Sequence, residues 1–213
     1  MGEMNSSPNH QPLIDAVTVM DRLRSAGGCP WDAEQTHSSL VRYLIEECYE
    51  LVEAIEDGDQ SAMLEELGDV LLQVLFHARI AAESPAGFDV DDVAAGLVDK
   101  LVRRHPHVFA GGEALTDAAD QQRRWDELKR VEKGRGGPLA GVALGAPSVA
   151  LAGKLGARAA KFGVDVPLPG GDSAAEQIFR LAYQAGANGE DPETAVRAVA
   201  RGHAARMLAG AAE

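Results

Sequence analysis

Two groups of carboxylates are the part of this sequence whose residue types and spacing could do chemistry. The first spans residues 46–50 (Glu-Glu-Cys-Tyr-Glu), and the second spans residues 65–69 (Glu-Glu-Leu-Gly-Asp). A break at Asp57-Gly58-Asp59 separates them. Carboxylate oxygens are the ligands that hard divalent cations prefer, so the pattern indicates metal chemistry.

The spacing places four of these acids in one layer if both groups are helical and the chain turns back at Gly58. Residues whose numbers sum to 116 then lie level, so that Glu50 is opposite Glu66 and Glu47 is opposite Asp69. Within each helix the two acids are three residues apart, which puts them on one face about one turn apart. The sequence therefore predicts a four-carboxylate cluster between two antiparallel helices.

Apolar neighbours predict that this cluster is partly buried. They are Leu44, Leu51, Leu67, Leu71 and Val74. Like charges a few ångströms apart repel in a medium of low dielectric, so a buried cluster needs a cation. A site made only of carboxylates fits Mg²⁺ or Mn²⁺, whereas zinc would favour His or Cys.

The alternative is that these acids form the solvated faces of two amphipathic helices. We expect that role for other acids of the same region, namely Glu53, Glu56, Asp57 and Glu65. Gly68 favours the metal site, because a glycine within a helix lets another group approach the backbone.

Basic residues gather at the end of the fourth predicted helix, where Lys100, Arg103 and Arg104 share one face. In a chain with a formal net charge of −13, such a group favours local phosphate binding. The alternative is that these cations only stabilise the helix, because positive charge near a helix C-terminus interacts favourably with the helix dipole. Further along, Trp125 is followed one turn later by Lys129. This pattern predicts that the Trp125 ring either stacks on a nucleobase or packs between two helices.

Three further features narrow the interpretation. His105-Pro106-His107 has no third metal ligand nearby, so we interpret it as a structural corner that ends a helix. Trp31, in Cys29-Pro30-Trp31-Asp32, allows the same two interpretations as Trp125, stacking on a nucleobase or packing between helices. No Gly-rich loop with a Lys-Ser/Thr ending is present, which excludes a P-loop enzyme.

Helices must position all of these side chains, since apolar residues recur at helical spacing almost throughout. The pattern predicts an all-α fold, with a bundle of four to five helices and a helical C-terminal extension. The predicted helices cover about residues 11–25, 38–57, 60–83, 90–104 (with Asp89 as N-cap), 117–133, 148–162, 173–187 and 192–208.

The Gly- and Pro-rich stretch 134–147 is the predicted linker between two domains. We expect a disordered tail at 1–12, a catalytic domain at 13–133 and a helical segment at 148–213. The helix openings after Asp89 and Asp191 are alike, which fits either a decayed repeat or a chance similarity between Ala-rich helices. The second segment lacks a Glu-Glu-x-x-Glu group, so as a repeat it is a degenerate copy.

Composition excludes several classes of function. The chain has 20 Lys and Arg residues against 33 Asp and Glu residues, so a basic groove for a nucleic-acid polymer is not expected. No run of about 18 apolar residues occurs, and the first dozen residues are polar, which predicts a soluble cytoplasmic protein with no membrane partner. Only two cysteines, Cys29 and Cys48, fit a reducing compartment.

Taken together, the motifs resemble those of the all-α nucleoside triphosphate pyrophosphatases, and specifically the MazG family. The matching stretches are Cys29-Pro30-Trp31-Asp32, Gln35-Thr36-His37, the two acidic groups, residues 100–109 and the pair Trp125 and Lys129. The resemblance implies Mg²⁺-dependent cleavage of an NTP or dNTP between the α- and β-phosphates, with Mn²⁺ as a substitute metal. It also implies removal of non-standard or damaged nucleotides and a homodimeric assembly.

The same resemblance implies roles for individual residues. The implied metal ligands are Glu47, Glu50, Glu66 and Asp69. Glu46 or Glu47 is the implied catalytic glutamate, which orients the attacking water. The implied nucleotide-binding residues are Tyr43, Glu46, Glu65, Lys100, Arg103, Arg104, Trp125 and Lys129.

Two other functions stay open at this point. One keeps the metal site and narrows the substrate to dUTP, dCTP or phosphoribosyl-ATP, although the related enzymes of that kind lack the His105-Pro106-His107 pattern. The other is a non-catalytic nucleotide-binding regulatory module, against which the intact set of four acids argues.

Overall fold

The structure, a computed structural model, describes residues 10–111 and 137–211. All regular secondary structure in these two ranges is helical, which confirms the predicted fold class. In chain order the helices are α1 (Gln11–Arg24), α2 (Pro30–Glu34), α3 (His37–Asp57), α4 (Gln60–Ala81), α5 (Val90–Arg104), α6 (Pro106–Phe109), α7 (Ser148–Phe162), α8 (Ala174–Ala187) and α9 (Pro192–Gly210). The chain divides into two compact units, Met1–Ala114 and Leu115–Glu213.

The antiparallel pair α3 and α4 makes the most extensive helix contact of the N-terminal unit. α3 begins with a capping box, in which Thr36 and Ser39 each accept a hydrogen bond from the other's backbone N–H through their side-chain hydroxyls. It ends at Gly58, whose φ of 69° lies in the left-handed region that glycine adopts without strain. Asp59 then caps α4 by accepting from two backbone N–H groups of its first turn. The chain therefore reverses where the sequence break predicted a turn.

A small apolar core fastens α1 to this hairpin. Its buried side chains are Met20 of α1, Leu40 of α3, and Leu75 and Phe76 of α4. Burying a side chain of this size contributes roughly 1.5–3 kcal/mol. The numbers of Leu40 and Phe76 sum to 116, so their place in one cluster agrees with the register predicted from the acids.

Arg24 fixes the segment between α1 and α3. Its side chain is 3% exposed, lies over the ring of Phe76 and pairs with both carboxylate oxygens of Glu83, at N···O distances of 2.9 and 3.1 Å. The same guanidinium donates to the backbone carbonyls of Asp32 and Gln35. One cation thus ties α2 to the ends of α1 and α4.

In the C-terminal unit, α7 and α8 approach each other at backbone contact distance. A Cβ atom added to Gly156 would lie 1.9 Å from the carbonyl oxygen of Tyr183, and one added to Gly186 would lie 1.9 Å from that of Gly153. Only glycine permits this approach. A cavity of about 370 Å³ in this unit has mainly apolar lining residues and no carboxylate among them.

The predicted helix bounds agree with the structure to within two residues in the described ranges. The short helices α2 and α6 were not predicted, and each has a proline at its first position, where a missing N–H costs nothing. The predicted helix 117–133 and most of the predicted tail lie outside the described residues. Among the helices of the described ranges, none is both long and apolar enough to cross a bilayer.

Candidate active site

Three carboxylates from α3 and α4 converge within the hairpin. One carboxylate oxygen from each of Glu47, Glu66 and Asp69 lies within 4.8 Å of the other two. All three residues are half-buried. The register that brings Leu40 to Phe76 in the core also brings Glu47 to Asp69, so the hairpin itself positions the cluster.

Glu50, the fourth predicted ligand, lies at the exposed edge of this group. It shares a hydrogen bond with Glu47, and its charge acts on both Glu47 and Glu66. The structure therefore brings together all four predicted acids, three at mutual ligand distance and the fourth beside them.

The electrostatic state of the cluster follows from crowded negative charge. Partial burial raises the pKa of Glu47, and the charges of Asp69, Glu50 and Glu66 raise it further. Partial burial also raises the pKa of Glu66, as do the charges of Glu50, Asp69 and Glu65. The charges that shift these two pKa values are all carboxylates, and such repulsion is relieved by a proton or a cation.

The donor set fits a hard divalent cation. Glu66 Oε2 is buried and has no hydrogen-bond partner within the described ranges. Buried polar atoms are nearly always paired, and a coordinated metal is one of the partners that satisfy a carboxylate oxygen. Because every available donor in the cluster is oxygen, Glu47, Glu66 and Asp69, with Glu50 beside them, suit such a cation better than they suit zinc.

The apolar neighbours of the cluster are less buried than the sequence predicted. Leu44 and Leu51 on α3 are half-buried, whereas Leu67, Leu71 and Val74 on α4 are 50%, 38% and 41% exposed. These three residues lie about 80° to 140° round the helix from Glu66, so they are not on its face of α4. The partial burial of the acids therefore comes from the α3–α4 contact itself.

α5 carries the cations that were predicted to bind phosphate, and it packs against α4. Lys100 and Arg103 are exposed in its last two turns, and Arg104 is half-buried. Arg103 pairs with Asp99 one turn earlier. The structure thus places the basic group on a helix next to the acidic one, and phosphate binding by these residues stays a prediction.

The remaining predicted site residues lie outside the acidic cluster or outside the described ranges. Glu46 and Glu65 are exposed, and each directly precedes a residue of the cluster. Trp125 and Lys129 lie outside the described residues. His105 ends α5, and its Nδ1–H donates to a backbone carbonyl at 2.6 Å, which agrees with a structural corner.

Tyr43 belongs to an aromatic group one turn from the acids on α3. The Trp31 ring meets Tyr43 edge-on at a centroid distance of 6.0 Å and meets Phe76 edge-on at 6.3 Å. The Arg42 guanidinium lies over the Tyr43 ring, 4.4 Å from its centroid. Since Trp31 is still 49% exposed, it both packs against other rings and presents aromatic surface to solvent.

Three polar side chains further along the hairpin were not predicted as site residues. Gln73 is 4% exposed, and its Oε1, like Nε2 of His77, is buried without a hydrogen-bond partner in the described ranges. His77 Nδ1 lies 2.8 Å from Nδ1 of His37, with the two rings parallel. Gln73 and His77 follow Asp69 at intervals of four residues, so they share a face of α4 with it, but this spacing alone does not mark them as site residues.

Comparisons with known proteins agree with this geometry. The family model for the MazG nucleotide pyrophosphohydrolase domain matches residues 35–109, which contain both acidic groups and the basic end of α5. An uncharacterised 26.1 kDa protein of Streptomyces cacaoi is 50% identical over 206 residues, which cover 94% of this chain and 82% of that protein.

Two relatives have names that state an activity. A nucleoside triphosphate pyrophosphohydrolase of Mycolicibacterium smegmatis is 48% identical over 170 residues, or 76% of this chain and 51% of the relative. The nucleoside triphosphate pyrophosphohydrolase/pyrophosphatase MazG of Thermotoga maritima is 43% identical over 179 residues, or 84% of this chain and 60% of the relative. The chain thus spans between half and two thirds of the length of these two proteins.

Proposed function

This chain belongs to the MazG nucleotide pyrophosphohydrolase family, and from that premise we propose that it hydrolyses nucleoside triphosphates to a nucleoside monophosphate and pyrophosphate. The observation that carries the proposal is the convergence of Glu47, Glu66 and Asp69 around an unpartnered carboxylate oxygen. With Glu50, these residues hold Mg²⁺, and Mn²⁺ can take its place.

The reaction needs an activated water and a stabilised leaving group. A divalent cation held by Glu47, Glu50, Glu66 and Asp69 would polarise the α-phosphate and lower the pKa of a bound water. Glu46 or Glu47 orients that water and takes its proton, since both carboxylates belong to the first acidic group. The water oxygen bonds to the α-phosphorus, and the bond to the bridging oxygen breaks, so that pyrophosphate leaves with the electron pair.

The substrate is held by the remaining predicted residues. Lys100, Arg103 and Arg104 of α5 neutralise the triphosphate, a role that suits cations next to an acidic site. Tyr43 lines the site one turn from the metal ligands. Contacts to the nucleotide are also assigned to Glu46, Glu65, Trp125 and Lys129.

The proposed assembly is a homodimer, and the proposed compartment is the cytoplasm. The homodimer is supported by the apolar face of α5, where Val93, Leu97 and Leu101 are 38%, 46% and 44% exposed. A continuous apolar stripe on an amphipathic helix is usually covered by another helix.

The C-terminal segment 148–213 is in this proposal a degenerate copy without catalysis. Two of the acids that it retains are engaged at helix starts: Asp191 accepts from Thr194 and Glu176 from Ser173, and these hydrogen bonds lower the pKa of both carboxyls. Such acids stabilise helix starts and do not converge on a metal in the described part of this unit.

A pyrophosphate-release assay on the full chain tests the proposed reaction. The panel holds standard, deaminated and oxidised nucleotides, each with Mg²⁺, with Mn²⁺ and with EDTA, and chromatography identifies the products. Metal-dependent nucleoside monophosphate and pyrophosphate are expected, with higher kcat/KM on oxidised nucleotides than on standard ones if the role is nucleotide-pool housecleaning. A nucleoside diphosphate product, or no turnover with any nucleotide, would overturn the proposal and favour a binding module.

A further inference from the structure

Gln73 is a buried amide for which the proposed chemistry has no use. It is 4% exposed, and its Oε1 has no hydrogen-bond partner in the ranges that the structure describes. More than nine in ten buried polar groups in proteins are paired, so an unpaired acceptor at this depth calls for a partner from outside the chain.

The position of Gln73 relates it to the metal site. It lies four residues after Asp69 on α4, which is about 6 Å along the helix axis and on the same face. In the register that places Leu40 with Phe76 and Glu47 with Asp69, Gln73 is level with Tyr43 of α3. The amide is therefore one turn from the acids, on the side of the aromatic group.

A nucleotide bound at the acids has two directions in which to extend along the hairpin. Toward the Gly58 turn, residues 51–64 contain no aromatic side chain. In the opposite direction lie Tyr43 and the half-exposed ring of Trp31, 6.0 Å apart between centroids. Nucleobases stack on aromatic side chains, so the base extends toward Tyr43 and passes Gln73.

We propose that Gln73 is the base-reading residue of this site, where its Oε1 accepts a hydrogen bond from the exocyclic amino group of adenine or cytosine. This inference rests on the proposed function and adds to it the class of base. A buried acceptor pairs with an amino group, but it meets the lone pairs of a keto oxygen at the same position in hypoxanthine or uracil. Adenine and cytosine that are oxidised elsewhere on the ring keep this amino group, so the selection is compatible with action on damaged nucleotides.

The test compares pairs of substrates in which a keto oxygen replaces the exocyclic amino group, namely ATP with ITP and CTP with UTP. The wild-type chain is expected to prefer the amino member of each pair in kcat/KM by about tenfold, the worth of one hydrogen bond. Gln73→Met keeps the length of the side chain and removes both hydrogen-bonding atoms. It is expected to bring both ratios close to one, mainly by lowering kcat/KM for ATP and CTP.

Gln60→Met is the matched control, because it makes the same change at an exposed position of α4. It should leave both substrate ratios at their wild-type values. If Gln73 were only structural, Gln73→Met would change kcat/KM for all four nucleotides by one common factor, and the inference would be wrong. Thermal melting of each variant shows whether the fold is kept.

Binding measurements separate this inference from the proposed reaction. The dissociation constants of the non-hydrolysable α,β-methylene analogues of ATP and ITP report base selection without turnover. Selective binding that Gln73→Met abolishes supports the inference even for a chain that hydrolyses nothing, whereas equal binding of the two analogues by the wild-type chain overturns it. Turnover with flat selectivity would leave the proposed function standing and refute the role of Gln73.

Discussion

Glu66 is a residue whose substitution we expect to affect catalysis more than folding. Its Oε2 is unpartnered, and partial burial and three neighbouring carboxylates raise its pKa. Glu66→Gln removes a charge that is repelled in the metal-free chain, so the variant is expected to melt at the same or a higher temperature in EDTA. Its turnover should fall at least about 100-fold, since changing a residue that merely orients a metal ligand already costs 10- to 100-fold.

Steady-state kinetics with Mg²⁺ and thermal melting with EDTA check both halves of this prediction. Glu53→Gln supplies the control, because it makes the same change on α3 at an exposed acid outside the cluster. A Glu66→Gln chain that loses activity only because it unfolds would assign Glu66 a structural role.

The residues of the acidic cluster could be predicted, and the buried amide could not, for a physical reason. Four like charges in mirrored positions about Gly58 leave few arrangements that do not require a cation, so their spacing alone indicates a site. A single Gln within an apolar stripe carries no such signal. Its role depends on being level with Tyr43, and that follows only once the register of the hairpin is known.

At the level of elements, the placement of α2 depends on an ion pair with a marked pH dependence. The hydrogen bond from Arg24 lowers the pKa of Glu83 below its ordinary value of 4.5. A carboxyl whose pKa is lower in the folded than in the unfolded state stabilises the fold above the unfolded pKa, and this stability is lost as pH falls through the folded pKa. Between pH 6 and about pH 3, the wild-type chain should therefore lose more stability than Glu83→Gln does.

Urea unfolding across this pH range measures the difference between the two chains. Asp15→Asn is the control, since Asp15 is an exposed acid of α1 outside the ion pairs that Arg24 and Arg79 make with Glu83, so its contribution should be small. Parallel pH profiles for the wild type and Glu83→Gln would contradict the assigned role of Arg24.

Two glycines of the hairpin should respond in opposite directions to the same substitution. At Gly58 the φ of 69° strains any other residue, so Gly58→Ala is expected to cost about 1 kcal/mol of unfolding free energy. Gly68 lies inside α4 with open space where a Cβ would be, so Gly68→Ala should gain up to about 1 kcal/mol. Urea unfolding gives both values.

The activity of Gly68→Ala tests a separate hypothesis from the sequence, that a group approaches the backbone beside Asp69. If the more stable variant keeps full kcat/KM, nothing approaches there during the reaction. Destabilisation of Gly68→Ala would contradict the open space that the structure shows at this position.

Long helices could be predicted more readily than short ones, again for a physical reason. α3 and α4 repeat an apolar period over more than 20 residues each and carry their own caps, so local sequence defines their bounds. α2 has five residues and no buried side chain, and its place depends on the contact between the Arg24 guanidinium and the Asp32 carbonyl. Tertiary contacts of this kind leave no periodic trace.

For the whole molecule, the two units differ in what their acids do. In the N-terminal unit the acids of α3 and α4 converge, whereas Glu176 and Asp191 of the C-terminal unit are engaged at helix starts. The close approach of α7 and α8 through glycines also leaves no room between them for a cluster of side chains. These differences fit one catalytic unit and one unit that serves packing or assembly.

The exposed apolar face of α5 predicts that the chain associates with a second copy. The apolar face of α5 is exposed at Val93, Leu97 and Leu101, and a monomer with this face uncovered would present it to water. We expect sedimentation equilibrium to give twice the 22.4 kDa mass of the chain. Leu97→Asp should shift the equilibrium to the monomer, while Ala95→Asp, which adds the same charge on the opposite face of α5, should not.

The activity of the same variants shows whether assembly matters to the site. Lys100 follows Leu97 by less than one turn, so a partner that covers the apolar face also restricts the basic end of α5. If so, kcat/KM per chain should fall on dilution of the wild type and should be low at every concentration for Leu97→Asp. A chain that sediments as a monomer at micromolar concentration with full activity would show instead that one copy completes the site.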